Sequence, residues 1–245
     1  MRVLSITKHL REQNWVAVFL DFLIVVVGVY MGLQMQEWSS KRAQNAEAAA
    51  YHERLAYEYA ALSDTLKKHS EHYETYLRNG INLTALLLTE QEIDQGRANQ
   101  LMNTSLFSIP PLKDPAVLDE MISAGKMGFI ADPAQRTQLL NARYSLQFLG
   151  TYYEFLNDGL DQILPIVQRC TVIDEVQPLA ENANIPEDLV TFHYDFTCMQ
   201  SEPLMPALMS EWLQRLHGTR NLYIEANLEF ERIAKKLQDL ANKSR

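Results

Sequence analysis

The stretch Trp15–Met35, WVAVFLDFLIVVVGVYMGLQM, constrains this chain more than any other part of it. It matches the ~20 apolar residues a helix needs to cross a bilayer. No charged residue occurs from Phe22 to Leu33. A surface helix of a soluble domain keeps a polar face, and this run has none, so it reads as a transmembrane helix. Trp15 at one end and Trp38 just past the other are the expected interface anchors, since an amphipathic indole settles at the headgroup level. Gln34-Met35-Gln36-Glu37 follows the apolar core in place of a small-residue cleavage site, which favours an uncleaved signal anchor.

Three readings follow for the organisation of the chain. Residues 1–14 form a cytoplasmic lead, 15–35 a transmembrane anchor, and 36–245 a periplasmic helical domain. The basic residues are nearly balanced, with Arg2, Lys8 and Arg11 on one side and Lys41, Arg42 and Arg54 on the other. The short lead and the two downstream cysteines favour a cytoplasmic N-terminus in a bacterial inner membrane, single-pass, with the lipid bilayer as the first partner.

Asp21 lies inside the apolar run, where a carboxylate costs up to roughly 2.5–3.5 kcal/mol. Gly28-Val29-Tyr30-Met31-Gly32 is a G-x-x-x-G pattern, which lets two helix backbones approach closely. Asp21, Gly28 and Gly32 are seven and four residues apart and share one helix face. That face reads as a membrane interaction face for a membrane protein partner or a second copy.

Beyond the anchor the chain is acidic. The formal net charge is −9, and residues after position 36 carry 19 basic and 29 acidic groups. Such a surface is a poor match for nucleic acid, and no nucleic-acid partner is expected. Cys170 and Cys198 are the two cysteines, giving either one disulfide or two buried thiols, with the disulfide expected in an oxidising compartment.

Helical periodicity dominates. No Gly or Pro occurs from Trp38 until Gly80, so the helix leaving the membrane continues unbroken. Leu55, Tyr59, Leu62, Leu66, His69, Tyr73 and Tyr76 form a heptad-like stripe that predicts one helix of a bundle. Asn79-Gly80 predicts a bend or end, with Ile81–Leu88 and Ile93–Met102 as further pieces. Asp114-Pro115 and Asp132-Pro133 both read as helix starts, a capping side chain before a proline in the first turn. Gly125 reads as a helix stop. The segment after Pro133 is expected to run to about Leu164, before Pro165. Residues 171–203 are looser, and 204–243 are helical with Gly218 as a division point. The expected fold is all-α: a transmembrane helix continuing into a long helix and an extramembrane helical bundle.

Chemical motifs are scarce. His69 and His72 could place two imidazoles on one helix face, but no third ligand is identifiable, and no metal site is expected. Ser123-Ala124-Gly125-Lys126 lacks the frame of a phosphate loop. With no G-x-S-x-G, no H-E-x-x-H and no convincing carboxylate pair, the expectation is a protein without catalytic residues or cofactors.

The residues also carry a resemblance. Asp21, the apolar run with Gly28, then Leu33-Gln34 and Trp38, with Leu118–Met127, Phe129-Ile130 and Tyr152-Tyr153, resemble a bacterial family of uncharacterised membrane-anchored proteins. Its members read as an acidic residue, a Leu/Ile/Val run, an Ala-Leu-Gln core and an Asn-rich stretch with Trp. A Ser-x-Gly turn later leads into a helix ending in paired aromatics. The likeness spans roughly residues 15–155, with Gly32 for Ala, Gln36 for Asn and Asp21 for Glu. It implies a membrane-tethered helical domain and supplies no catalytic residues. The functional expectation is a non-enzymatic interaction or scaffold protein. The alternative is an ion-coupled, stator-like transport accessory subunit that uses Asp21 as proton carrier.

Overall fold

The computed structural model describes residues 15–89, 93–176 and 190–243. Among these it has six α-helices and one two-stranded sheet, and 83% of the described residues are helical. The helices are α1 (Trp15–Leu87), α2 (Gln95–Ser105), α3 (Ala116–Ser123), α4 (Pro133–Arg169), α5 (Phe196–Ser201) and α6 (Met205–Lys243). The strands are β1 (Thr171–Val176) and β2 (Val190–Tyr194). A long N-terminal helix therefore continues into a helical bundle.

Three long helices make the body. On α1 the stripe Leu55, Tyr59, Leu66 and Tyr73 is fully buried. It faces α6, whose Met205, Met209, Trp212, Leu216, Tyr223, Phe230, Ile233 and Leu237 recur at heptad-like spacing and are buried too. Tyr59 stacks on Phe230 at 5.0 Å between centroids, and the Ser63 hydroxyl donates to Asn227 Oδ1 at 2.6 Å. The residue numbers run oppositely, so α1 and α6 are antiparallel. Ser145 bonds Glu229 and Lys236 bonds Gln138, which makes α4 antiparallel to α6 and parallel to α1.

Two sequence punctuators do not act as such. Gly80 neither bends nor ends α1, which continues through Ile81–Leu87. A Cβ on Gly80 would stand 2.8 Å from Leu213 Cδ2, so the residue is small because α6 packs onto it. Pro165 lies inside α4, which runs on to Arg169. The ring removes one backbone donor only a turn from the helix end, and buried Ile163, Ile166 and Val167 hold that turn in place. Gly218 likewise does not divide α6.

The two Asp-Pro pairs differ. Asp132 caps α4, its carboxylate accepting from Ala134 N–H at 2.9 Å with Pro133 in the first turn. Asp114 does not cap α3: it accepts from Arg143 Nε at 3.2 Å and Gln147 Nε2 at 2.9 Å, and the helix starts at Ala116. The α3 N-terminus is closed from another element. Glu58 on α1 accepts from Ala116 N–H at 2.6 Å and Val117 N–H at 3.1 Å. At the other end Gly125 takes φ 68°, with Lys126 N–H bonding Met121 O and Gly125 N–H bonding Ile122 O, the Schellman pattern.

The looser segment contains what periodicity missed, an antiparallel hairpin of β1 and β2 with a bulge between Ile173 and Glu175. It sits at the end of the bundle away from the start of α1. Cys170 and Cys198 are joined there by a disulfide.

Candidate membrane anchor and helix-packing face

Helix α1 has 73 residues, about 110 Å at 1.5 Å per residue. Only its second half packs in the bundle. From Phe19 to Glu47 every residue is exposed, and burial starts near Tyr51. Large apolar side chains on all sides of the arm stand open, among them Phe22, Ile24, Val25, Tyr30 and Leu33, each about 60% exposed or more. One 18-residue window reaches a mean hydropathy of 1.6 with none of it buried. A helix apolar all round is normally covered by protein or lipid, and no described part of this chain covers it. By length and composition it is able to cross a membrane.

Asp21, Gly28 and Gly32 lie in this arm. The Asp21 carboxylate makes no ion pair or hydrogen bond with another described side chain. A Cβ on Gly28 or Gly32 would meet nothing within 4 Å. Neither glycine therefore packs against another described residue, in contrast to Gly80. Trp38 is 59% exposed, with the Arg42 guanidinium 5.6 Å from its ring centroid and a Lys41–Glu37 ion pair beside it. Trp15 opens the helix, and its side chain lies outside the described part.

Residues 36–46 form a single exposed helical stalk between the apolar arm and the bundle. Its base is clamped. Lys126 pairs with Glu47 at 3.0 Å and stands 5.1 Å over the Phe129 ring. His52 Nε2–H donates to Phe129 O at 3.1 Å. Glu120 on α3 receives the Arg54 guanidinium through both terminal nitrogens and the Tyr51 hydroxyl at 2.8 Å. Arg54 foremost, then Tyr51, holds the Glu120 carboxyl down to about 2, while the Tyr51 hydroxyl is pushed up by bonding that carboxylate. Burial raises Glu58, with its bonds to Val117 and Ala116 N–H opposing. These contacts join α1, α3 and the 3₁₀ turn Met127–Phe129 into one rigid collar. None of these long-range pairings is written in local spacing.

His69 and His72 are not brought together with other ligands. The His69 ring lies 5.5 Å from that of Tyr223, and burial lowers its pKa, with His72 adding. His72 stacks on Tyr76 at 6.3 Å. Among the described residues no group of three or more His, Cys, Asp or Glu could hold a metal ion. An open groove of about 620 Å³ runs beside Tyr57 on α1 and is lined by Glu53, Arg54, Glu58, Ala61, Leu62, Thr65 and Val117.

No protein-family model, curated protein or solved structure matches the chain.

Proposed function

We propose that this chain is a non-enzymatic, single-pass membrane protein that holds a helical bundle near the bilayer as an interaction or scaffold element. The observation that carries this reading is the uncovered apolar arm of α1, continuous with a bundle that closes its own core. Twenty-one residues of helix span about 31 Å, matching the ~30 Å hydrocarbon thickness. The stalk of residues 36–46 then holds the bundle roughly 16 Å beyond the membrane surface. That separation suits an acidic body, because it exceeds the Debye length of about 8 Å at physiological salt.

The Cys170–Cys198 bond supports placing the bundle on the oxidising side. In a bacterium, the source suggested by the sequence resemblance, this is the periplasm, with residues 1–14 in the cytoplasm. A helix unbroken from the membrane into the bundle fixes the orientation of the bundle relative to the bilayer, which a flexible linker would not.

Fractionation tests the reading. The full chain is expected in the membrane pellet after alkaline carbonate washing. A Val26→Asp, Val29→Asp variant is expected in the soluble fraction, since two central carboxylates cost about 5–7 kcal/mol on insertion scales. A wild-type chain extracted by carbonate would contradict the proposal.

A further inference from the structure

We infer that the exposed face of α1 is a parallel two-fold interface with a second copy of this chain, running from the membrane arm through the stalk to the Tyr57 groove. The inference rests on the membrane-anchored reading and names its partner.

Projected at about 100° per residue, Ser39, Ala43, Ala46, Ala50, Tyr57 and Ala61 fall on one strip of α1, in line with Gly28 and Gly32. All are exposed, although Leu55, Ala56, Tyr59 and Leu66 on the other side of the same helix are buried in the bundle. Two copies of one single-pass chain enter a bilayer the same way round. Their α1 helices are therefore parallel, with equivalent residues at equal height. A two-fold axis along the membrane normal sets this strip against itself, the isologous arrangement.

Three features fit that partner. Charge is the first. Glu53 lies about 50° to one side of the strip and Arg54 about 50° to the other. A two-fold axis reverses the flanks, so Glu53 of each copy meets Arg54 of the second copy. Arg42 and Glu47 flank the stalk in the same way, about 70° to either side and five residues apart, the spacing of interhelical pairs in parallel coiled coils. Arg54 and Glu47 serve Glu120 and Lys126 within their own copy, yet keep 49% and 43% of their side chains exposed.

Shape is the second. Tyr57 is 80% exposed and stands beside the open groove formed with Ala61, Leu62 and Val117. Knob and hole lie on one surface at one height, as self-association requires. Below them the strip carries alanine, serine and glycine, which permit close backbone approach.

Area is the third. From Gly28 to Ala61 the strip is about 50 Å long, and at a helix width of roughly 10 Å each copy covers about 500 Å². The total of about 1,000 Å² meets the threshold for a specific interface before the arm below Gly28 is counted.

Cysteine cross-linking in native membranes tests the inference. Single variants Ala43→Cys, Ala46→Cys and Ala50→Cys point along the strip, while Gln44→Cys and Ala48→Cys point away. Mild oxidation of carbonate-washed membranes is expected to give covalent dimers at the first three positions, at least fivefold above the other two. Equal cross-linking everywhere, none anywhere, or adducts of a different mass at the three positions, with the chain in the pellet, would overturn the second-copy interface. A chain missing from the pellet would instead overturn the anchored reading on which the interface rests.

Discussion

Glu58 makes the sharpest energetic prediction, because one side chain on α1 closes the start of a helix almost sixty residues away. Its carboxylate accepts from Ala116 and Val117 N–H, and α3 has no side-chain cap of its own. That eight-residue helix seats the fully buried Leu118 and Met121. Losing a capping acceptor costs about 0.5–2 kcal/mol, and hydrogen bonds to charged groups contribute about 1.5–3 kcal/mol. Half-burial of the carboxylate offsets part of that gain, so Glu58→Ala is expected to destabilise the bundle by about 1–2 kcal/mol. Urea unfolding of the full chain in detergent micelles, followed by circular dichroism, measures it. The pH dependence supplies a second signature. Burial raises the Glu58 pKa, so folding favours the protonated acid. Its linked stability is full below the unfolded carboxylate pKa and is lost as pH rises through the raised folded value. Glu58→Gln removes that dependence, so wild type should gain on Glu58→Gln as the medium is acidified. An alanine variant as stable as wild type would refute the capping role, and a wild-type-to-glutamine difference that does not change with pH would refute the dominance of burial over the two N–H bonds.

Further expectations follow from the collar and the core. Glu120, held at about 2 by Arg54 and Tyr51, should titrate near that value by NMR, and Arg54→Ala should return it towards the ordinary carboxylate range. Its ion pair is present above the unfolded carboxylate pKa and lost as pH falls through about 2, so mild acid should leave the collar closed. Gly159 on α4 lies where an added Cβ would stand 3.1 Å from Arg215 Cδ and 3.4 Å from Trp212 Cε3. Gly159→Val should therefore lower stability by about 1–3 kcal/mol in the same unfolding assay. Reducing the Cys170–Cys198 bond, which joins cysteines 28 residues apart, should lower stability by about 3.5 kcal/mol on the chain-entropy account. A melting curve unchanged by reductant would contradict this.

The legible parts of the chain were those fixed by local physics. An apolar run without a polar face can be read directly, as can the stripe from Leu55 to Tyr73, because helix period and burial coincide there. The Asp132-Pro133 start and the Gly125 stop were legible for the same reason: cap and capped groups are neighbours in sequence. Asp114-Pro115 carried the same local signal, but Arg143 and Gln147 on α4 compete for the carboxylate, and Glu58 supplies the cap instead. Gly80 and Pro165 looked like breaks because propensity weighs a residue alone, whereas Leu213 and the buried Ile163, Ile166 and Val167 decide those positions. The hairpin escaped notice because it lies largely exposed at the bundle end, so its apolar residues show no clean alternation. Asp21, Gly28 and Gly32 were visible as a shared face. Its continuation through Ala43, Ala46 and Ala50 to Tyr57 became evident only once burial separated the two sides of α1.

Cysteine labelling in intact spheroplasts tests the central claim most directly. A membrane-impermeant maleimide is expected to label Lys235→Cys, on an exposed position of α6, without lysis, and to label Ser5→Cys only after lysis. That pattern places the bundle outside and the N-terminal lead inside, with the α1 arm crossing between them. Labelling of both positions before lysis, or of Ser5→Cys alone, would contradict the account.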